Sequence, residues 1–216
     1  FWHTRKLFFK KTHERPATMS KVSLEDIQKL RSMTSMGMLD CKKALEQAEG
    51  DMEKAIELLR KKGASIAAKR GDNQTAQGYV HAYIHPGASI GVMIELNCET
   101  DFVARNEDFK KAAQDICMHI AAMKPLYLSP EEVDPAFLEK EKKFATEKLI
   151  EEGKKPEFVE KIVEGKMQKL YSEICLLEQT FVKDDKLSIK EVISGLIGKV
   201  GENVKIKRFA RFEIGA

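Results

Sequence analysis

The sequence predicts an α+β fold in which a three-helix bundle precedes a small antiparallel sheet packed with helices, and an antiparallel helical hairpin protrudes. Three observations carry that expectation. Apolar residues recur three and four apart from Ser23 to Gly63, the spacing of one helix face. In "GYVHAYIHPGASIGVMIELNCET" the period drops to two on either side of a Pro-Gly pair, the pattern of a β-hairpin. Two highly charged helical stretches meet at "EGKKPE", and so short a break makes consecutive helices antiparallel neighbours.

Taken in order, Ser23 is an N-cap with Asp26 in the first turn, and Leu24, Ile27 and Leu30 follow at helical spacing. The chain turns at Gly37 into a second helix with Leu39, Ala44, Leu45 and Ala48, closing at Gly50. Asp51 caps a third helix striped by Met52, Ala55, Ile56 and Leu59, which Gly63 is expected to end. "ASIAAKRGDNQTAQ" is small and polar, a linker helical at its start. In the hairpin Tyr79, His81, Tyr83 and His85 share one face, as do Val92, Ile94 and Leu96 on the return strand. Asn106 caps a helix with the stripe Phe109, Ala112, Ala113, Ile116, Ile120 and Met123, which Pro125 stops. Across the helical hairpin Phe137, Phe144 and Leu149 are expected to face Phe158, Ile162 and Tyr171. "LSIKEVISGLIGKVG" reads as a helix, and "NVKIKRFARFEIG" as a strand with Val204, Ile206, Phe209 after a slip, Phe212 and Ile214 on one face, joining the earlier hairpin. The resulting division is a tail over 1–18, the bundle over 19–63, a linker over 64–76, a core hairpin and helix over 77–135, the helical hairpin over 136–174, read as a dimerisation or spacing element because its charged outer faces are ordinary solvated surface, and over 175–216 a helix and strand completing the sheet.

A chain of 216 residues can bury roughly 70 % of the surface it exposes unfolded, so a true core is expected. One third of the residues are charged, with signs mixed, and no apolar run approaches the roughly 20 residues that cross a bilayer. The net charge of +3 is a property of the tail: residues 1 to 19 carry Arg5, Lys6, Lys10, Lys11 and Arg15 against Glu14, a surplus of four, which leaves −1 for the rest. A nearly neutral body is no electrostatic case for nucleic acid, which needs a basic face. "MSKVSLEDI" from Met19 has the form of an ordinary start, so the tail reads as translated upstream sequence, the remnant of an organellar transit peptide, or a basic arm. Cys41, Cys98, Cys117 and Cys175 are widely spaced with no C-x-x-C, which points to neither zinc nor a disulfide framework and fits a reducing compartment.

The signatures of phosphate, dinucleotide and hydrolytic sites are missing. His81 and His85 are four apart on a strand, about 13 Å, too far to share a metal. His119, on the helix after Asn106, reads as a hydrogen-bonded structural residue. What stands out is "NCETDFVARNEDF", where Asp101 and Phe102 sit side by side between strand and helix. Asp as a cap and Phe as core is the bland interpretation. Asn106 is the better cap, however, and neighbours in an extended segment point to opposite faces, so one of the pair looks outward.

"TDFVARN", "MTSMGMLDCKKALEQAEGDMEKAIELLRKKG" and "KVGENVKIKRFARFEIG" together closely resemble the translation elongation factor Ts family, in order and from about Ser23 to the end. The resemblance implies an amino-terminal bundle of ubiquitin-associated type, a single core unit as in short family members, and no counterpart of the second core unit or terminal module of long ones. It implies a guanine nucleotide exchange factor, without active site or cofactor, for elongation factor Tu in its GDP-bound and nucleotide-free forms. Phe102, with Asp101 beside it, would insert into the partner's nucleotide domain, while Arg31, Met38, Leu39 and Lys42 hold family contact positions in the bundle; Leu39 as core is the competing interpretation. His85, Val200 and Gly201 also fall at family positions, His85 by a match that crosses core units, and Gly201 doubles as a turn glycine. A homodimer in bacterial cytoplasm is implied, with an organellar matrix as the alternative, and with no direct nucleotide, nucleic-acid or membrane binding by this chain.

Two other classes compete. An adaptor would bind through the bundle alone. An acid–base enzyme would need His85 or His119 within hydrogen-bond reach of Asp101.

Overall fold

The computed structural model describes residues 22–34 and 36–215; the expectations for the tail and for Met19 lie outside these. The fold is α+β. The chain divides between Leu58 and Leu59 into two compact units, taken here in turn.

The first unit holds α1 (Leu24–Thr34), α2 (Met38–Gln47) and the start of α3 (Met52–Arg70). Ser23 Oγ accepts the Asp26 N–H at 3.0 Å and Asp51 Oδ1 that of Lys54 at 3.1 Å, so both expected caps are in place. Ile27, Leu30, Cys41, Ala44, Leu45 and Ala55 are buried.

The third helix does not end at Gly63; it runs on to Arg70, through the first half of the expected linker. A Cβ on Gly63 would stand 3.1 Å from the Ser194 carbonyl oxygen. The glycine therefore marks a close approach of two helices rather than a stop.

The second unit is built on a sheet of order β1-β2-β5, with β1 (Gln77–Ile84), β2 (Ile90–Cys98) and β5 (Val204–Glu213) antiparallel. Val92, Ile94, Leu96, Val204 and Ile206 point inward onto α5 (Glu107–Met123), whose Phe109, Ala113, Ile116 and Ile120 are buried, and onto α8 (Ile189–Val200). The anticipated slip is a bulge: Glu95 pairs with Arg208 and Leu96 with Ile206, which leaves Lys207 over. Past it Phe209 and Arg211 turn inward, so Phe212 and Ile214, expected on the buried face, are 73 % and 80 % exposed. A short hairpin of β3 (Thr180–Phe181) and β4 (Asp184–Ser188) precedes α8, with no strong pattern to announce it.

α6 (Pro135–Glu151) and α7 (Pro156–Ile174) form the helical hairpin. Its seam is Ala145 and Leu149 against Val159, Val163 and Met167, with Ile162 and Tyr171 alongside. Phe144 and Phe158, expected to face each other, are exposed. Each precedes a seam residue, and one position is about 100° around the helix; small Ala and β-branched Val let the helices close up as Phe would not.

A candidate partner-binding site

Asp101 and Phe102 are not extended. They open a single helical turn, α4 (Asp101–Ala104), with Thr100 as N-cap: its side chain accepts the Val103 N–H. Val103 and Ala104 pack on the core while Phe102 stands 80 % exposed. The outward residue is thus the apolar one, by helical rather than strand geometry. Asp101 pairs with Arg105 at 3.0 Å on the same turn. Asn106 then caps α5 through the Asp108 N–H at 2.8 Å.

Four residues are too few to hold a helix by themselves. Besides the core contacts of Val103 and Ala104, two carboxylates cross at the foot of α4. Glu202 accepts the Thr100 N–H at 3.0 Å and its hydroxyl at 2.6 Å, and Glu99 accepts the Asn203 N–H at 2.6 Å. Glu99 also takes Arg70 at 3.0 Å and Asn73 at 3.1 Å. The Asn203 N–H first, then Asn73 and Arg70, hold the Glu99 carboxyl below its usual range. Asn203, 2 % exposed, donates from Nδ2 to the carbonyls of Asn73 at 2.8 Å and Gly71 at 3.3 Å. Gly201 makes the crossing possible: at φ 73° it caps α8 in the left-handed region and turns the chain back toward Thr100.

Val200 and Gly201 are thereby joined to the Asp101–Phe102 turn. His85 is not: it follows β1 at the turn, whereas α4 follows Cys98, which pairs with Gln77 at the opposite end of that strand. Eight residues of strand separate the two ends, about 25 Å. His85 Nδ1 lies 3.0 Å from the Tyr83 hydroxyl. His119 is buried, with Nδ1 accepting the Val182 N–H at 3.2 Å and Nε2 2.9 Å from Gln179 Oε1; burial lowers its pKa. Both histidines are committed elsewhere than to Asp101.

In the first unit Leu39 is 64 % exposed and so not core, Met38 is half-buried, and Arg31 and Lys42 are exposed. Lys42 lies 3.8 Å from Glu46 along α2. The residues that sequence reasoning passed over are Glu99, Thr100, Glu202 and Asn203. Thr100 was legible as a cap in "ETDF"; the pairing of carboxylates across a hundred residues left no local pattern.

Among the described residues no helix is long and apolar enough to cross a membrane. The model of the family described as Elongation factor TS matches residues 17–216. Proteins named Elongation factor Ts are similar along most of both chains: that of Desulforamulus reducens is 50 % identical over 197 residues, covering 91 % of each chain. Those of Koribacter versatilis and Thermotoga maritima are each 50 % identical, covering 90 % of this chain and 89 % and 97 % of their own. These matches put the chain among the elongation factors of protein biosynthesis. The chain belongs to the elongation factor Ts family.

Proposed function

We propose that this chain is the guanine nucleotide exchange factor of elongation factor Tu and acts by binding alone. The observation that carries the proposal is Phe102, a large apolar side chain 80 % exposed on a turn that is otherwise packed and clamped. Burying a Phe in an apolar slot is worth roughly 1.5 to 3 kcal/mol. Spent between two helices of the partner's nucleotide domain, it displaces the loops that position Mg²⁺ and the phosphates. Once the ion is lost, phosphate charge is uncompensated and GDP leaves. Asp101, paired with Arg105, flanks the wedge, and Val200 and Gly201 extend the contact from the neighbouring turn. Arg31, Met38, Leu39 and Lys42 give the bundle a second, independent hold on the nucleotide domain.

Coupling is reciprocal: the factor weakens nucleotide by the ratio that nucleotide weakens the factor. GTP therefore ejects it, and the cycle needs no covalent chemistry. The nucleotide stays on the partner. The setting is the cytoplasm, where elongation runs.

We put the homodimer on the outer face of the sheet, where Val80, Ile84, Met93 and Phe212 are at least half exposed and Ile84, Gly91 and Phe212 lie in one row across the strands. A two-fold pair would cover these apolar rows and leaves the helical hairpin as a spacer. Sedimentation of the wild type as a dimer and of Phe212→Glu as a monomer would support this; equal masses would refute it. The exchange role itself is tested by release of a fluorescent GDP from elongation factor Tu: the rate rises with the concentration of this protein if the proposal holds and stays at its spontaneous value if not.

A further inference from the structure

We propose that Glu202 is a positioning residue for exchange: its carboxylate, by holding both the N–H and the hydroxyl of Thr100, fixes the one-turn helix that presents Phe102. This rests on the exchange function proposed above, and one arm of its test does not. Thr100 Oγ donates to Glu202 at 2.6 Å and its N–H at 3.0 Å, whereas the capping bond it accepts from Val103 is long, 3.5 Å. The hydroxyl proton goes to Glu202, and its lone pair is left to face the helix. The strong, charge-assisted bonds of the cap thus come from another segment, and the ion pair within the turn, Asp101 with Arg105, is exposed.

The same carboxylate sits one residue beyond Gly201, whose φ of 73° aims it at Thr100. Contact of a partner with the 200–201 turn and insertion of Phe102 are therefore mechanically one event. Neighbouring Glu99 ties Asn203 to the end of α3, so the turn that carries Glu202 is itself held.

Two measurements on the full chain decide the matter. In amide hydrogen exchange, Glu202→Ala should exchange the amides of residues 103–105 about tenfold faster or more, the expectation for losing two bonds to a charged group, with α5 and the sheet unchanged. Unchanged protection of α4 would overturn the proposal whether or not the protein is an exchange factor. In fluorescent GDP release from elongation factor Tu, Glu202→Ala should lower the maximal rate more than the half-saturating concentration. Thr100→Ser, which keeps both donors, should behave as wild type. On a Phe102→Ala background Glu202→Ala should add nothing, because a positioning residue acts only through what it positions. An undiminished further loss there would overturn the proposal. Should Glu202→Ala fail to fold by circular dichroism, Thr100→Val, which removes the hydroxyl's short bond to Glu202 together with the long cap bond from Val103, takes its place, read at the amides of residues 104 and 105 in hydrogen exchange and with the same criteria in GDP release.

Discussion

The Glu99 carboxylate accepts the backbone N–H of Asn203 at 2.6 Å, joining positions 104 residues apart at the foot of the turn that displays Phe102. With its pKa held below the ordinary 4.5 by that bond, Glu99 stabilises the fold only while ionised. The folded value is the lower one, so this stability is complete above pH 4.5 and is lost as pH falls through the folded value. His119 has the same sign at higher pH: burial depresses it from 6.5, and its contribution declines as pH drops below that. Thermal unfolding followed against pH should show Tm falling from about pH 6.5 downward, and Glu99→Gln should flatten the part below 4.5.

Gly78 stands opposite Asn97 in the hairpin, and a Cβ there would meet the Leu96 carbonyl oxygen at 2.5 Å and Asn97 Cα at 2.9 Å. Both are backbone atoms and cannot swing aside. Gly78→Ala should cost about 1 to 3 kcal/mol by overpacking, read as a lower denaturation midpoint.

Burial pushes the Cys98 and Cys175 thiols up to about 11 and Cys117 to about 12. At pH 8 the thiolate fraction of Cys98 is then roughly one in a thousand. A thiol reagent should label the native protein slowly and the unfolded protein fast, with Cys117 last. Rapid native labelling of Cys117 would contradict the packing of α5 on the sheet.

Leu39, mostly exposed in the bundle, should behave as a contact and not as core. Leu39→Ser is expected to shift stability by no more than about 0.5 kcal/mol while weakening the complex with elongation factor Tu in calorimetric titration.

The sequence carried the fold wherever one face is buried, because burial imposes a period. The stripes of α1, α2 and α5 and the alternation of β2 show this. It misled where two explanations share one residue. Gly63 can stop a helix or admit a neighbour, and only the Ser194 carbonyl decides. Phe144 and Phe158 look like seam residues by size, but close helix packing chose Ala145 and Val159. Phe212 was displaced by a bulge whose position the alternation implied but whose consequence for the next residues it did not. At the candidate site the residues themselves said only that one of Asp101 and Phe102 looks outward, because Asn106 made the acid redundant as a cap; which one was settled by the helical turn that exposes Phe102. The support of that turn was not legible, since Glu99 and Glu202 act across the chain.

The most direct measurement is release of a fluorescent GDP from elongation factor Tu by this protein and by Phe102→Ala, in stopped flow. The side chain is largely exposed, so the variant should keep its Tm. Its maximal rate should drop roughly ten- to hundredfold, the loss expected if burial of the ring is realised in the step that frees the nucleotide. A folded Phe102→Ala that releases GDP as fast as the wild type would contradict the wedge.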